Sequence, residues 1–174
     1  CGWGGFACHA ARHYGCRVTT VTISQRQFEY ARGRITREGL ADRIDLRLQD
    51  YRDVVDGPYD AVSSIGMFEH VGEARLSEYF ERILGLLRPG GRLAVAVWAP
   101  LEESPGYAAM VALLRRLFGD RVADALRAPF ILGDTNLLRS LFAEAGIPGI
   151  EIRTPAGNRP PKASPTTRSA SPSP

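Results

Sequence analysis

The feature that most limits what this chain can become is an alternation of two hydrophobic periods. CRVTTVTI, residues 16–23, is apolar and β-branched enough for a buried strand. Ser24 is an N-cap residue, and the helix it opens runs through Arg37 to a stop at Gly39. IDLRLQD, residues 44–50, alternates as a strand nearer a sheet edge, and YDAVSSIG, residues 59–66, is a third strand. A helix over residues 73–87 follows, with Leu76, Tyr79, Phe80, Ile83, Leu84 and Leu87 as its apolar stripe. RPGG then turns the chain into RLAVAVW, residues 92–98, which is apolar on both faces. Strands alternating with helices predict a mainly parallel sheet covered on both sides.

Ahead of the first strand, Phe6, Ala7, Ala10, Ala11 and Tyr14 recur at helical spacing until Gly15, and the glycine cluster CGWGG precedes them. Beyond Pro100 the pattern predicts helices over residues 107–118, 121–126 and 135–145, the last closed by Gly146, and a final strand over 150–154. Residues 155–174 are rich in Pro, Ser and Thr and hold no large apolar side chain, which predicts a disordered tail. Residues 1–154 therefore read as one domain, a size sufficient for a single buried core.

Charge gives no sign of a nucleic-acid partner. The net +3 lies wholly in Arg159, Lys162 and Arg168 of the tail, leaving 19 basic and 19 acidic side chains before it. No apolar run approaches the roughly 18 residues that cross a bilayer, and no signal-peptide pattern opens the chain. Cys1, Cys8 and Cys16 are odd in number and lack metal-ligand spacing, as reduced cysteines of a cytoplasmic protein do. Neither a metal site nor an oligomeric state is written in the motifs. No basic amphipathic helix marks a membrane surface, though an acyl substrate would still bring peripheral membrane contact.

In open α/β sheets ligands bind outside the carboxyl ends of the strands. Four segments should gather there: CGWGG, TISQRQ, QDY and GMFEHVG. Each has a plain structural reading beside the functional one. Gly2, Gly4 and Gly5 make a tight turn or a cofactor loop. Thr22 and Gln27 are a strand end and a solvated helix face, or a polar pair for a ligand. Asp50 is a cap or a ligand, and Glu69 and His70 cap the following helix or act on substrate.

Order and spacing together go further. CGWGG, VTTVTISQRQFEYAR, DRIDLRLQDYRDV, YDAVSSIGMFEHVGE and YFERILGLLRPGGRL closely resemble the cyclopropane-fatty-acyl-phospholipid synthases over residues 1–93. The resemblance implies a Rossmann-like, doubly wound class I methyltransferase fold lacking its first strand and its last. It implies S-adenosylmethionine held by Gly2, Trp3 and Gly4 of the loop, by Thr22 and Gln27, and by Asp50 with the backbone of Tyr51. It also implies catalysis at Glu69 and His70, with bicarbonate bound at Glu69, and transfer of a methylene to the double bond of an unsaturated acyl chain. After Leu93 the family's further histidine is absent, since His9, His13 and His70 are the histidines of the chain. Residues 94–154 are instead similar to ubiquinone- and menaquinone-type small-molecule methyltransferases, whose helices cover the substrate. An inactive fragment or a chimeric join at LRPGGRL is the third reading. A lacking central strand also predicts marginal stability and weak cofactor binding for residues 1–174 alone.

Overall fold

The computed structural model describes residues 1–72, 75–147 and 149–154. The chain divides into two compact units, Cys1–Ala96 and the part from Val97 onward.

The first unit opens with α1 (Gly5–Tyr14), β1 (Val18–Thr22), α2 (Gln25–Arg37) and β2 (Ile44–Leu48). α1 follows Gly4, a residue at φ 77, and ends at Gly15, at φ 65. Both lie in the left-handed region that glycine enters without steric cost. Ser24 caps α2 as its spacing predicts, its hydroxyl accepting from the Gln27 amide at 3.4 Å. β1 and β2 run parallel, in register from Val18 opposite Ile44 to Thr22 opposite Leu48. Ala7, Cys8 and Ala11 from α1, Ile35 from α2, and Leu40 and Ile44 beside β2 form the core of this half. Removing Ile35, Leu40 and Ile44 from water contributes about 1.5–3 kcal/mol each.

β3 (Tyr59–Ile65) and β4 (Leu87–Ala96) make a second parallel pair, joined by the crossover helix α3 (Leu76–Leu86). Leu76, Tyr79, Phe80 and Ile83 of α3 are buried, and Phe68 joins them. The expected start of this helix, residues 73–74, lies outside the described residues.

β4 begins earlier than the sequence predicts. Tyr59 faces Leu87 and Ala61 faces Arg92, so RPGG is an irregularity inside the ladder and not a turn before it. The faces of β4 alternate as well: Leu93 and Val95 are half-buried while Arg92, Ala94 and Ala96 are exposed. A strand apolar on both faces needs cover on both, and α3 is the helix that packs on this pair among the described residues.

The parallel strands form two two-stranded sheets and not one. The connection between β2 and β3 carries side-chain bonds that link the pairs. Arg47 donates from Nη1 to Asp56 Oδ1 at 2.6 Å and from Nη2 to Asp56 Oδ2 at 2.9 Å, and the Tyr59 hydroxyl donates to the same carboxylate at 2.7 Å. Farther along, Arg82 Nη2 donates to the Val54 carbonyl at 2.5 Å.

The second unit is helical among its described residues: α4 (Pro105–Phe118), α5 (Asp120–Arg127), a 3-10 segment (Ala128–Gly133) and α6 (Thr135–Glu144). Asp134 caps α6, its carboxylate accepting from the amides of Asn136 at 2.8 Å and Leu137 at 3.3 Å. Val111, Ala123, Phe130, Leu132, Leu138 and Phe142 are buried. The strand predicted over 150–154 is not formed. A strand exists only through a pairing neighbour, and this unit offers none among its described residues. The tail predicted at 155–174 lies outside the described residues. No described helix is long and apolar enough to cross a membrane.

Candidate functional site at the strand ends

Two backbone bonds gather candidate segments at the end of β1, and a third closes the β3–β4 pair. The Cys1 amino group donates to the Val21 carbonyl at 2.7 Å, laying the glycine loop beside the end of β1. The Gln49 amide donates to the Thr22 carbonyl at 2.9 Å, bringing the turn after β2 to the same level. The Gly66 amide donates to the Ala96 carbonyl at 3.2 Å, which closes the end of the β3–β4 pair.

Within the loop, Gly2 has φ 51 and nothing within 4 Å of where a Cβ would stand, so its backbone faces open space. Gly4 is buried, and a Cβ there would meet that of Ala31 at 3.1 Å. Trp3 is exposed and packs edge-on against Tyr30, their ring centroids 5.4 Å apart. Tyr30 is a member of this corner that sequence reasoning missed; its signal was its position one turn beyond Gln27.

Thr22 is buried, and its hydroxyl proton is committed. It donates to Gln27 Oε1 at 2.8 Å and accepts from the Ser24 amide at 3.2 Å. This leaves the Gln27 Nε2 hydrogens, at a half-buried position, for an external acceptor. Asp50 starts a 3-10 helix, Tyr51–Asp53. Its Oδ1 accepts from the Arg52 amide at 2.9 Å and from Nε at 3.0 Å, and its Oδ2 accepts from Nη2 at 2.8 Å. Those bonds from Arg52, the side-chain ones foremost, hold the Asp50 carboxyl below its ordinary value. Asp50 is therefore both a cap and an ion-pair partner.

The Phe68–His70 turn follows β3 and carries Glu69 and His70. His70 is exposed; the side chain of Glu69 lies outside the described residues. An aromatic chain ties this turn to the one after β2. The Tyr51 ring lies 5.5 Å from that of Tyr79, which lies 5.2 Å from Phe68. Tyr79 reads in sequence only as part of a helix stripe, so this link was missed. Desolvation raises the Tyr51 phenol above its ordinary value, with the Glu78 carboxylate adding to the shift.

The glycine loop, the Thr22–Gln27 pair and the turn after β2 lie at one end of the β1–β2 pair, and their polar groups include both donors and acceptors.

The model of the mycolic acid cyclopropane synthetase family matches residues 1–107. A probable fatty acid methyltransferase of Pseudomonas putida is 49% identical over 92 residues, 52% of this chain and 23% of that protein. Cyclopropane-fatty-acyl-phospholipid synthase of Escherichia coli (strain K12) is 44% identical over 91 residues, 52% of this chain and 22% of that protein. The chain thus spans under a quarter of the length of these curated relatives. A crystal structure of mycolic acid cyclopropane synthase CmaA1 complexed with SAH and CTAB aligns with a TM-score of 0.60 at 20% identity. It covers 84% of this chain and 52% of that one, a likeness that carries the Rossmann-like class I methyltransferase fold. On the family match over its first 107 residues, the chain belongs to the mycolic acid cyclopropane synthetase family.

Proposed function

We propose that this chain carries the cofactor half of an S-adenosylmethionine-dependent methyltransferase that transfers a methylene to the double bond of an unsaturated acyl chain. The observation that carries the reading is the convergence at one strand end of the Gly2–Gly4 loop, the Thr22–Gln27 pair and the Asp50 turn. Gly2 lets the backbone approach the ligand, Gln27 Nε2 donates to a ribose hydroxyl, and Asp50 with the Tyr51 amide meets the adenine edge. Trp3 shields the loop from water on the side of Tyr30. S-adenosylmethionine supplies an electrophilic methyl, so the protein's work is to orient a weak alkene nucleophile and keep water from the reacting centre. Bicarbonate as proton acceptor for ring closure belongs to the same proposal at Glu69 and His70. No histidine follows His70 in the sequence, so this turn is what the chain offers such an anion. The reading places the protein in the cytoplasm, in contact with lipid only through its substrate.

Calorimetric titration with S-adenosylhomocysteine tests the cofactor assignment. Thr22→Val frees Gln27 to rotate and removes a hydrogen bond worth about 1 kcal/mol, so affinity should fall roughly fivefold. Unchanged affinity in Thr22→Val and Gln27→Ala would remove this pair from the site. Incubation with labelled S-adenosylmethionine and unsaturated phospholipid tests the chemistry: the expected product gains one methylene and loses its double bond. Glu69→Gln should abolish that product while leaving S-adenosylhomocysteine binding intact.

A second reading, a small-molecule methyltransferase, rests on the sequence after Leu93. Label appearing only in soluble metabolites would favour it.

A further inference from the structure

Away from the strand ends, α1 presents two imidazoles one helical turn apart. His9 and His13 are both exposed, with ring centroids 4.6 Å apart and planes inclined by 40°. Residues four apart share a helix face and project in the same direction. The ring separation matches what a shared ion requires. Two imidazoles bound cis at roughly 2.0–2.1 Å per nitrogen place their centroids about 4.5–5 Å apart. The surroundings also permit it. Arg12, which lies between the two histidines in sequence, is paired with Glu38, and the Tyr14 ring flanks His9 at 5.8 Å.

We propose that His9 and His13 form a two-histidine chelate for a borderline divalent transition-metal ion of the Cu2+, Ni2+ and Zn2+ class. Neutral imidazole suits these ions, whereas Mg2+ and Ca2+ seek oxygen ligands. Among the described residues no group of three or more His, Cys, Asp or Glu side chains is gathered for a metal. Water therefore completes the coordination, and the site is an open one. An ion there staples the second half of α1. Because α1 has no side-chain cap at its start, the staple adds order to the helix that the glycine loop leads into. The proposal is independent of the methyl-transfer reading, which no histidine of α1 enters.

The test uses the full 174-residue chain carrying Cys1→Ser and Cys16→Ser, because those two exposed thiols are competing ligands. With histidine rings isotopically labelled, NiCl2 is titrated in and the ring resonances are followed. The chain has three histidines, so His70 serves as an internal reference. His9 and His13 should broaden together, saturating at one ion per chain while His70 persists. His9→Ala and His13→Ala should each weaken binding by about tenfold or more, since even outer-shell partners of a metal ligand are worth that much. NiCl2 should raise the thermal midpoint of the parent and not that of either variant. MgCl2 should do none of this. Parallel broadening of all three histidines, or unchanged affinity in His9→Ala, overturns the chelate. Both side chains are exposed, so neither substitution disturbs the core, and far-UV circular dichroism verifies the helix.

Discussion

Cys1–Ala96 holds all four described strands and every residue assigned to the cofactor, whereas the described part from Val97 onward is helical and packs around rings. Trp98, Tyr107 and Phe130 meet with centroids 5.1–5.8 Å apart. The two units also use glycine differently. Gly4 is required for its backbone angle, at φ 77, while Gly133 is required for room, because a Cβ there would lie 2.4 Å from the Pro100 nitrogen. The family match stops at residue 107, so it contains the first kind of glycine and not the second. The part of the chain tied to a family thus holds the glycine required for its backbone angle.

One tryptophan in each unit makes the comparison measurable. In a Trp98→Phe chain Trp3 reports the first unit, and in a Trp3→Phe chain Trp98 reports the second. The largest expected effect is from Phe80→Ala, which empties a fully buried site in α3 and should cost the first unit about 3–5 kcal/mol. The Trp98 transition should stay within about 0.5 kcal/mol, as for independent sites. Equal movement of both transitions breaks the comparison and makes the units one cooperative body. Next, Gly133→Ala forces the backbone of Ala99 and Pro100 aside and should cost the second unit about 1–3 kcal/mol. Denaturant midpoints read by Trp98 check it.

Gly4→Ala should cost the first unit about 1–2 kcal/mol from its left-handed angle, and it should weaken S-adenosylhomocysteine binding in the same titration. A stability loss without loss of binding would make the loop a plain turn.

The smallest effect is on pH dependence. Asp50 has a folded-state value below its unfolded one, so its pairing with Arg52 stabilises fully above the ordinary aspartate value of 3.8. That contribution disappears as pH falls through the folded value. The stability gap between the parent chain and Asp50→Asn should therefore be constant near neutrality and close in acid. A gap that widens on acidification contradicts the sign.

How much of this was legible in sequence depended on the range of the signal. Ser24, Gly15 and Gly39 mark helix ends through bonds made within four residues, and α1 and α2 sit where those residues put them. Pairing is non-local, and there the reading failed. Nothing within RPGG reveals that Leu87 already faces Tyr59, and nothing within residues 150–154 reveals the want of a neighbour. The 3-10 segment Ala128–Gly133 has too few residues to show a period. The candidate site divides in the same way. Thr22 and Gln27 are close in sequence and meet directly, whereas the Tyr51–Tyr79–Phe68 chain spans three elements and has no local signature.

The bridge from Arg47 to Asp56 has a consequence for how this unit responds to a ligand. It is an exposed ionic link, screened as salt rises, and it lies between two strand pairs that share no backbone ladder. The two pairs are therefore joined here by side-chain bonds and not by a ladder. A molecule that touches both sides adds crosspieces the backbone does not supply. Its binding energy goes partly into rigidity, so occupancy should be felt as stiffening across the whole of Cys1–Ala96 and most strongly at high ionic strength.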